Sequence, residues 1–519
     1  MECIMNMKVD ISQNNTPPVR NDIFLIATSI VVVICTIVLL MLYPTSSQKI
    51  AESLFNGLTT SIGSIVQLLG FACVISALLI ACSRYGNIKL GEGSPEYSNV
   101  SWIFMFVCAG LGSATMYWAF MEWAYYYNTP GLNLTPESKE SLRASLSYVF
   151  FHWGLTPWSI YAIASLAMAY HFHINKSKGL NLSSLISSIT GISEKGALGK
   201  IIDLIFLFST FGGLVLTTTI TVGTVSAGLS SIFGFDNTFL LKIILLAIIT
   251  LTFSLSSYIG IDGGMQKLAK AACGMTLSFG LVVLFMGETT FIVDNFVNSL
   301  GLTFSNFVKM SLFTDPIGNG SFNKDWTVFY WLYWITYTPG VSIFITRVSK
   351  GRTVRELILG LILGGCAGCW FFFGSLSGYA IDLFNTGVVN APALLQINEG
   401  EAAVGNILAQ LPLGTLFSLF YFLLMVVFLA PHLDATAYTV AAVSSKGLRQ
   451  GQDPARGLRV FWCVMLGLIP LAMLYINASL STLKTAVTLT AAPFIVILII
   501  CSFGLFKWLK NHDVKQDLK

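Results

Sequence analysis

The stretches Tyr330-Trp331-Leu332-Tyr333-Trp334-Ile335-Thr336-Tyr337-Thr338-Pro339-Gly340 and Gly110-Leu111-Gly112-Ser113-Ala114 decide the fold. Each falls near the middle of a long apolar run, and each carries residues that interrupt a helix, Pro by lacking an N–H and Gly by loosening the backbone. Irregular backbone at membrane depth is tolerated only where it is buried in protein or lines a cavity. Both stretches therefore predict broken helices around a site near the midplane. Composition requires the membrane: 55% of the 519 residues are hydrophobic and 10% charged, against about 25% charged in a soluble domain. With a mean hydropathy of +0.74, a soluble enzyme is excluded.

A span needs about 20 apolar residues. Twelve stretches qualify, near 23–43, 55–83, 100–127, 145–172, 201–230, 239–257, 264–287, 327–347, 354–381, 413–444, 457–477 and 482–506. The first is too long for a signal sequence, follows a largely polar lead and has no Ala-x-Ala-like site after it, so it is expected to stay attached. With the N-terminus inside, 22 of the 29 Lys and Arg fall on the inner side or tails, and seven (Lys49, Lys139, Arg143, Lys242, Lys309, Lys324, Lys484) on the other. This is the positive-inside bias. It predicts a multi-pass protein of a bacterial-type inner (plasma) membrane with both termini cytoplasmic.

The broken spans, the third and the eighth, start five spans apart. Spans 3–7 and 8–12 are then expected to form two five-helix units of opposite orientation, the layout of an inverted-repeat secondary transporter. The organisation reads as a cytoplasmic tail (1–22), two peripheral spans (23–99), a first repeat (100–288), an external amphipathic helix (289–325), a second repeat (326–507) and a short cytoplasmic tail (508–519). The external helix is drawn from Phe291, Val293, Phe296, Val297 and Leu300 at roughly helical spacing.

Eleven tryptophans and 18 tyrosines are unevenly spread. Interfacial belts account for many of them, and Trp326 and Tyr126 are assigned there. Those two apart, the rings that a belt does not explain are Tyr117 to Tyr127 on span 3, Trp153, Trp158 and Tyr161 around Pro157 on span 4, and Tyr330 to Tyr337 on span 8. Tyr330, Trp334 and Tyr337 follow at four- and three-residue intervals and share one helix face. Aromatic faces without a fixed anion suit a quaternary ammonium, which has no N–H to donate and is held by cation–π attraction of about 2 kcal/mol or more when desolvated. From spacing alone, helix packing explains the same pattern equally well.

Asp325-Trp326-Thr327-Val328-Phe329-Tyr330-Trp331-Leu332-Tyr333-Trp334, with Arg347-Val348-Ser349-Lys350-Gly351-Arg352-Thr353-Val354-Arg355-Glu356 after it, resembles the span-8 signature of the betaine/choline/carnitine transporters. Phe151 to Tyr161 is similar to that family's span-4 aromatic motif, and Gly110 to Ala114 to its glycine-rich span 3. The resemblance covers spans 1 to 12. It implies an all-α membrane protein of twelve transmembrane helices with a LeuT-like core, a homotrimer in the lipid bilayer, and a small-molecule quaternary ammonium substrate. Carried over by position, the substrate-binding residues are Trp153, Trp158, Tyr161, Tyr333, Trp334 and Tyr337, with Tyr125 and the Trp118 to Tyr127 run resembling the carnitine/γ-butyrobetaine exchanger branch. Gly110, Gly112, Pro339 and Gly340 are the backbone breaks. Tyr333 replaces the first Trp of the usual pair, Ala114 the third glycine, and Val341 a methionine of the exchanger branch, and these changes reshape the pocket.

Ionisable groups inside a membrane are functional candidates by default. Glu122 lies more than two turns beyond the glycine break, where local pairing accounts for it as well as a substrate contact. Span 10 reads Leu429-Ala430-Pro431-His432-Leu433-Asp434, where sodium-coupled relatives resemble one another in a Thr-Ser pair before the Asp. A hard cation needs oxygen ligands, so Pro431 and His432 argue against sodium there. The sodium-independent exchanger has an Arg from span 7 in this space, and the matching residue here is Ala272. His432, Asp434 and Lys270 are therefore the coupling candidates, a His432–Asp434 contact being the structural alternative.

The ten cysteines read as small core residues without a disulfide framework. Cys366-x-x-Cys369 lies in an apolar helix, and no metal, cofactor, nucleotide loop or paired catalytic groups are expected. A net charge of +4 gives no case for nucleic acid. The expectation is alternating-access transport of carnitine-, betaine- or choline-class solutes by sodium-independent exchange. The alternatives are a proton- or sodium-coupled symporter, or an osmosensor or channel-like protein on the same fold.

Overall fold

The computed structural model describes residues 20–177, 182–259, 264–318, 320–446 and 453–517. Strand β1 (Arg20–Asn21) leads to α1 (Ile23–Leu42), whose first amides are capped by the Asp22 carboxylate. α2 (Pro44–Cys82) starts with Pro at its first position, where no N–H is needed. The third apolar stretch is two helices, α3 (Asn99–Ala109) and α4 (Ser113–Asn128), bent by 65° at the glycine break. α5 (Lys139–His152) and α6 (Leu155–Ala169) share the fourth stretch, and a π-helical turn, Tyr170–Ile174, ends it. α7 (Leu182–Thr190), α8 (Ala197–Phe233), α9 (Phe239–Ile259) and α10 (Gly264–Met286) follow. The chain then bends by 114° into α11 (Thr289–Leu312), the amphipathic segment. A π-helical turn, Asn323–Val328, feeds α12 (Phe329–Val348), which is followed by α13 (Val354–Asn385) and the short α14 (Ala391–Gln396) and α15 (Gly400–Leu408). α16 (Gly414–Val443), β2 (Ser445–Lys446), α17 (Arg456–Tyr475) and α18 (Leu480–Asp517) complete the chain, with β2 antiparallel to β1.

Every one of the twelve apolar stretches is helical. Among the described residues seven helices are long and apolar enough to cross a membrane alone, or up to nine when each bent pair counts as one span. α12 packs against α6, α8 and α18, and the break between α3 and α4 faces α13.

Three features depart from the sequence reading. The expected break at Pro339 and Gly340 does not occur, because α12 runs through both. Hydroxyls bond neighbouring carbonyls of the same turns: Ser209 of α8 donates to the Thr336 carbonyl at 3.4 Å, while Thr336 and Thr338 donate back to the Tyr333 and Trp334 carbonyls at 2.6 and 3.1 Å. A second break lies instead at Trp153-Gly154, between α5 and α6. A Cβ on Gly154 would sit 2.3 Å from the Phe150 carbonyl oxygen, so only glycine fits. Finally, Cys108 at the end of α3 is disulfide-bonded to Cys273 of α10, with Cα atoms 5.6 Å apart. A separation of 165 residues hides that pairing from any reading of local spacing.

The basic loop after α12 is scaffold. Arg352 is buried, bonds Asn99 and the Tyr97 carbonyl, and stacks its guanidinium over Trp102 at 4.6 Å. Thr353 and Glu356 form the capping box that starts α13.

Candidate substrate site

A cavity of about 110 Å³ lies where the glycine break meets α6, α8, α12 and α16. Residues Ala109 to Gly112, Ala114 and Thr115 form one wall, and Trp153, Tyr161, Tyr333, Trp334, Tyr337 and Val341 the other, with Thr217 and His432 completing it. Apart from the imidazole no lining side chain is ionisable near neutral pH, so a cation here meets ring faces and dipoles rather than a carboxylate.

Trp334 is the hub of the rings. Its centroid lies 5.3 Å from Trp153, 5.4 Å from Trp158 and 5.0 Å from Tyr161, at interplanar angles of 64° to 69°. The polar edges of these rings are tied back into the protein. Trp334 Nε1 donates to the His152 carbonyl at 3.1 Å, Trp153 Nε1 to Glu122 Oε2 at 2.8 Å, and the Tyr333 and Tyr337 hydroxyls share Thr217 Oγ1 at 2.9 and 2.8 Å. With the indole N–H groups bonded away from the cavity and the two hydroxyls held by Thr217 of its lining, the rings keep π faces for the cavity.

Trp158 stands behind this wall. It is fully buried and absent from the lining, wedged where a Cβ on Gly110 or Gly365 would lie 2.6 or 2.2 Å from its ring. Tyr125 belongs to a different cluster, 5.0 Å from Trp326 and hydrogen-bonded to Tyr117 at 2.9 Å. Trp326 and Tyr126 correct the belt assignment, since both are buried among protein rings rather than at a lipid-facing surface. The Lys484 ammonium caps Trp326 at 3.4 Å from its centroid and donates to the Asp325 carbonyl at 2.7 Å.

Glu122 is enclosed and does not line the cavity. It accepts from Tyr126 at 2.6 Å, Tyr330 at 2.5 Å and Trp153 at 2.8 Å. Tyr126 also meets His152 Nδ1 at 2.7 Å, and the His152 ring stacks on Tyr330 at 4.7 Å and 9°. A buried carboxylate with three donors is a satisfied one, and its effect on the cavity passes through Trp153.

The coupling candidates separate. His432 lines the cavity, its ring 5.2 Å from that of Tyr337. Asp434 is buried away from the lining. Two residues apart on a helix they face different sides, so no His432–Asp434 contact patches α16. Lys270 is exposed on α10, outside the lining. Ala272 is buried beside the disulfide-bonded Cys273.

Sequence reasoning missed Thr217 and Thr115. The run Thr217-Thr218-Thr219 inside an apolar span was the available signal, because hydroxyls at that depth need partners.

Residues 23–514 match the family described as BCCT, betaine/carnitine/choline family transporter. The chain is 52% identical over 434 residues to the "Uncharacterized transporter YeaV" of Escherichia coli (strain K12), covering 84% of this chain and 90% of that one. It is 47% identical over 507 residues to the "Carnitine transporter" of Acinetobacter baumannii, covering 98% and 92%. To the "Probable glycine betaine transporter" of Desulfitobacterium hafniense (strain Y51) it is 30% identical over 517 residues, covering 98% and 99%. A twelve-stretch helical chain with a ring-walled cavity at a glycine break, matched along nearly all its length, belongs to the betaine/carnitine/choline (BCCT) family of transporters.

Proposed function

We propose that the protein carries small quaternary ammonium or betaine-like solutes across the bacterial inner membrane by alternating access, exchanging one such solute for another without sodium. One observation carries the reading: an uncharged aromatic cavity centred on Trp334 and buried at a helix break. Trp153, Tyr161, Trp334 and Tyr337 hold the onium head by cation–π attraction, Tyr333 and Val341 shape the remainder, and Trp158 fixes the rings from behind. The break at Gly110 and Gly112 is the flexible element, and spans 3–7 and 8–12 act as opposed repeats that rock about the site. An imidazole at His432, where oxygen ligands would serve a hard cation, favours sodium-independence. Both termini are cytoplasmic in this reading, and the working unit is a homotrimer.

Uptake of radiolabelled carnitine, betaine and choline into proteoliposomes tests it, with a sodium gradient, a pH gradient or unlabelled solute inside. Uptake requiring only internal solute is expected. Uptake requiring sodium or a proton gradient refutes exchange in favour of symport, and failure to bind any onium compound refutes the substrate class.

A further inference from the structure

The cavity is not uniform along its length. Its ring contacts fall into two groups, Trp334 with Trp153 and Tyr161, and Tyr337 with Tyr333 (5.4 Å) and His432 (5.2 Å). The hydroxyl and imidazole groups of the lining belong to Thr115, Thr217, Tyr161, Tyr333, Tyr337 and His432. Thr115 Oγ1 accepts from the Gly112 N–H at 3.2 Å, Thr217 takes the Tyr333 and Tyr337 hydroxyls, and Tyr161 lies among the rings of Trp158 and Trp334. The His432 ring has no hydrogen-bond partner among the described residues. Its Nδ1 lies 3.9 Å from where a Cβ on Gly112 would stand, which puts it beside the first turn of α4. That turn has glycine as its N-cap and therefore no side-chain cap. Its amides are the positive end of a half-helix.

We propose that His432 is the carboxylate-recognising residue of the site, so that the protein selects solutes carrying both a quaternary ammonium and a carboxylate over onium alcohols. This rests on the transport reading above and adds the feature that separates betaines from choline. A neutral imidazole suffices, because one ring N–H donates to a carboxylate oxygen and needs no titration. The uncapped start of α4 supports the same oxygen with its dipole. A choline-type alcohol makes neither contact as an anion does, while its trimethylammonium group meets the same rings.

The test is competition in proteoliposomes between a radiolabelled carboxylate-bearing onium (carnitine or glycine betaine) and unlabelled choline or tetramethylammonium. It is run on the native chain, His432→Leu and His432→Gln, with thermal stability measured in parallel. His432→Leu is expected to weaken the carboxylate-bearing solutes at least tenfold while leaving the carboxylate-free cations within twofold. His432→Gln, which keeps a donor, is expected to recover most of the loss. Equal weakening of both classes, or no change in either, overturns the proposal and makes His432 a packing residue. A native chain that binds neither class overturns the underlying transport reading instead, and that outcome is told apart by the unsubstituted protein alone.

Discussion

Replacing Glu122 separates two accounts of the carboxylate, as a charge the site needs and as a hydrogen-bond acceptor that aims Trp153. Three donors converge on it, from Tyr126, Tyr330 and Trp153. All three residues are buried. Glu122→Ala orphans the Tyr330 hydroxyl and the Trp153 indole while Tyr126 keeps His152 Nδ1, at about 1–3 kcal/mol for each unsatisfied group. The total is about 2–6 kcal/mol if nothing fills the space, and sits toward the lower end because the vacated volume admits a water. Glu122→Gln behaves differently. Its carbonyl oxygen in the Oε2 position still accepts from Trp153 and Tyr330, and its amide donates to the Tyr126 hydroxyl. Tyr126 then donates to His152 Nδ1, already 2.7 Å away. One network is exchanged for another at about 1 kcal/mol. The assay is uptake kinetics in proteoliposomes together with thermal unfolding in detergent. Glu122→Ala is expected to raise KM tenfold or more and to lower the midpoint, and Glu122→Gln to stay within about fivefold of the native chain, since 1.4 kcal/mol is a factor of ten. If Gln is as damaging as Ala, the charge itself is required and the positioning account is wrong.

The hub ring gives a second prediction. Trp334→Leu removes a cation–π face of about 2 kcal/mol, so onium KM rises about 30-fold, while Trp334→Phe, which keeps a face, loses far less. Equal losses would show that Trp334 only fills space. Thr217→Val leaves the Tyr333 and Tyr337 hydroxyls without their shared partner. At about 1 kcal/mol or somewhat more this raises KM roughly five- to tenfold with folding intact, measured by uptake and unfolding. Gly365→Ala places a Cβ 2.2 Å from the Trp158 ring and costs about 1–3 kcal/mol through overpacking. A smaller ring in the double variant with Trp158→Phe relieves it, and a thermal-stability cycle with no coupling between the two sites would refute the contact.

Much of the cavity lining is legible in the amino-acid sequence. Trp153, Tyr161, Tyr333, Trp334, Tyr337 and Val341 all reach the cavity, because rings three and four residues apart on one helix share a face. Trp158 and Tyr125 do not, because which side of a span faces the cavity is set by the neighbours it packs against. Here that includes the glycines at 110 and 365, which leave room for Trp158 behind the wall. His432 stands out in the sequence for its chemistry at a position where an imidazole is unexpected, but only the crossing of α16 past the start of α4 makes it a lining residue.

By itself the sequence determined that the chain is a bundle of apolar helices with a break at Gly110 to Gly112, since the excess of apolar over charged residues and the glycine spacing are local quantities. Tertiary structure alone decided that Pro339 leaves α12 unbroken, that the second interruption falls at Trp153-Gly154, and that Cys108 meets Cys273. It also decided that Glu122 is a satisfied acceptor. The last three involve a group from another helix, the Trp370 indole on the Phe150 carbonyl, a distant thiol and the hydroxyl of Tyr330, and the partner of a buried polar group is fixed by packing rather than by its neighbours along the chain.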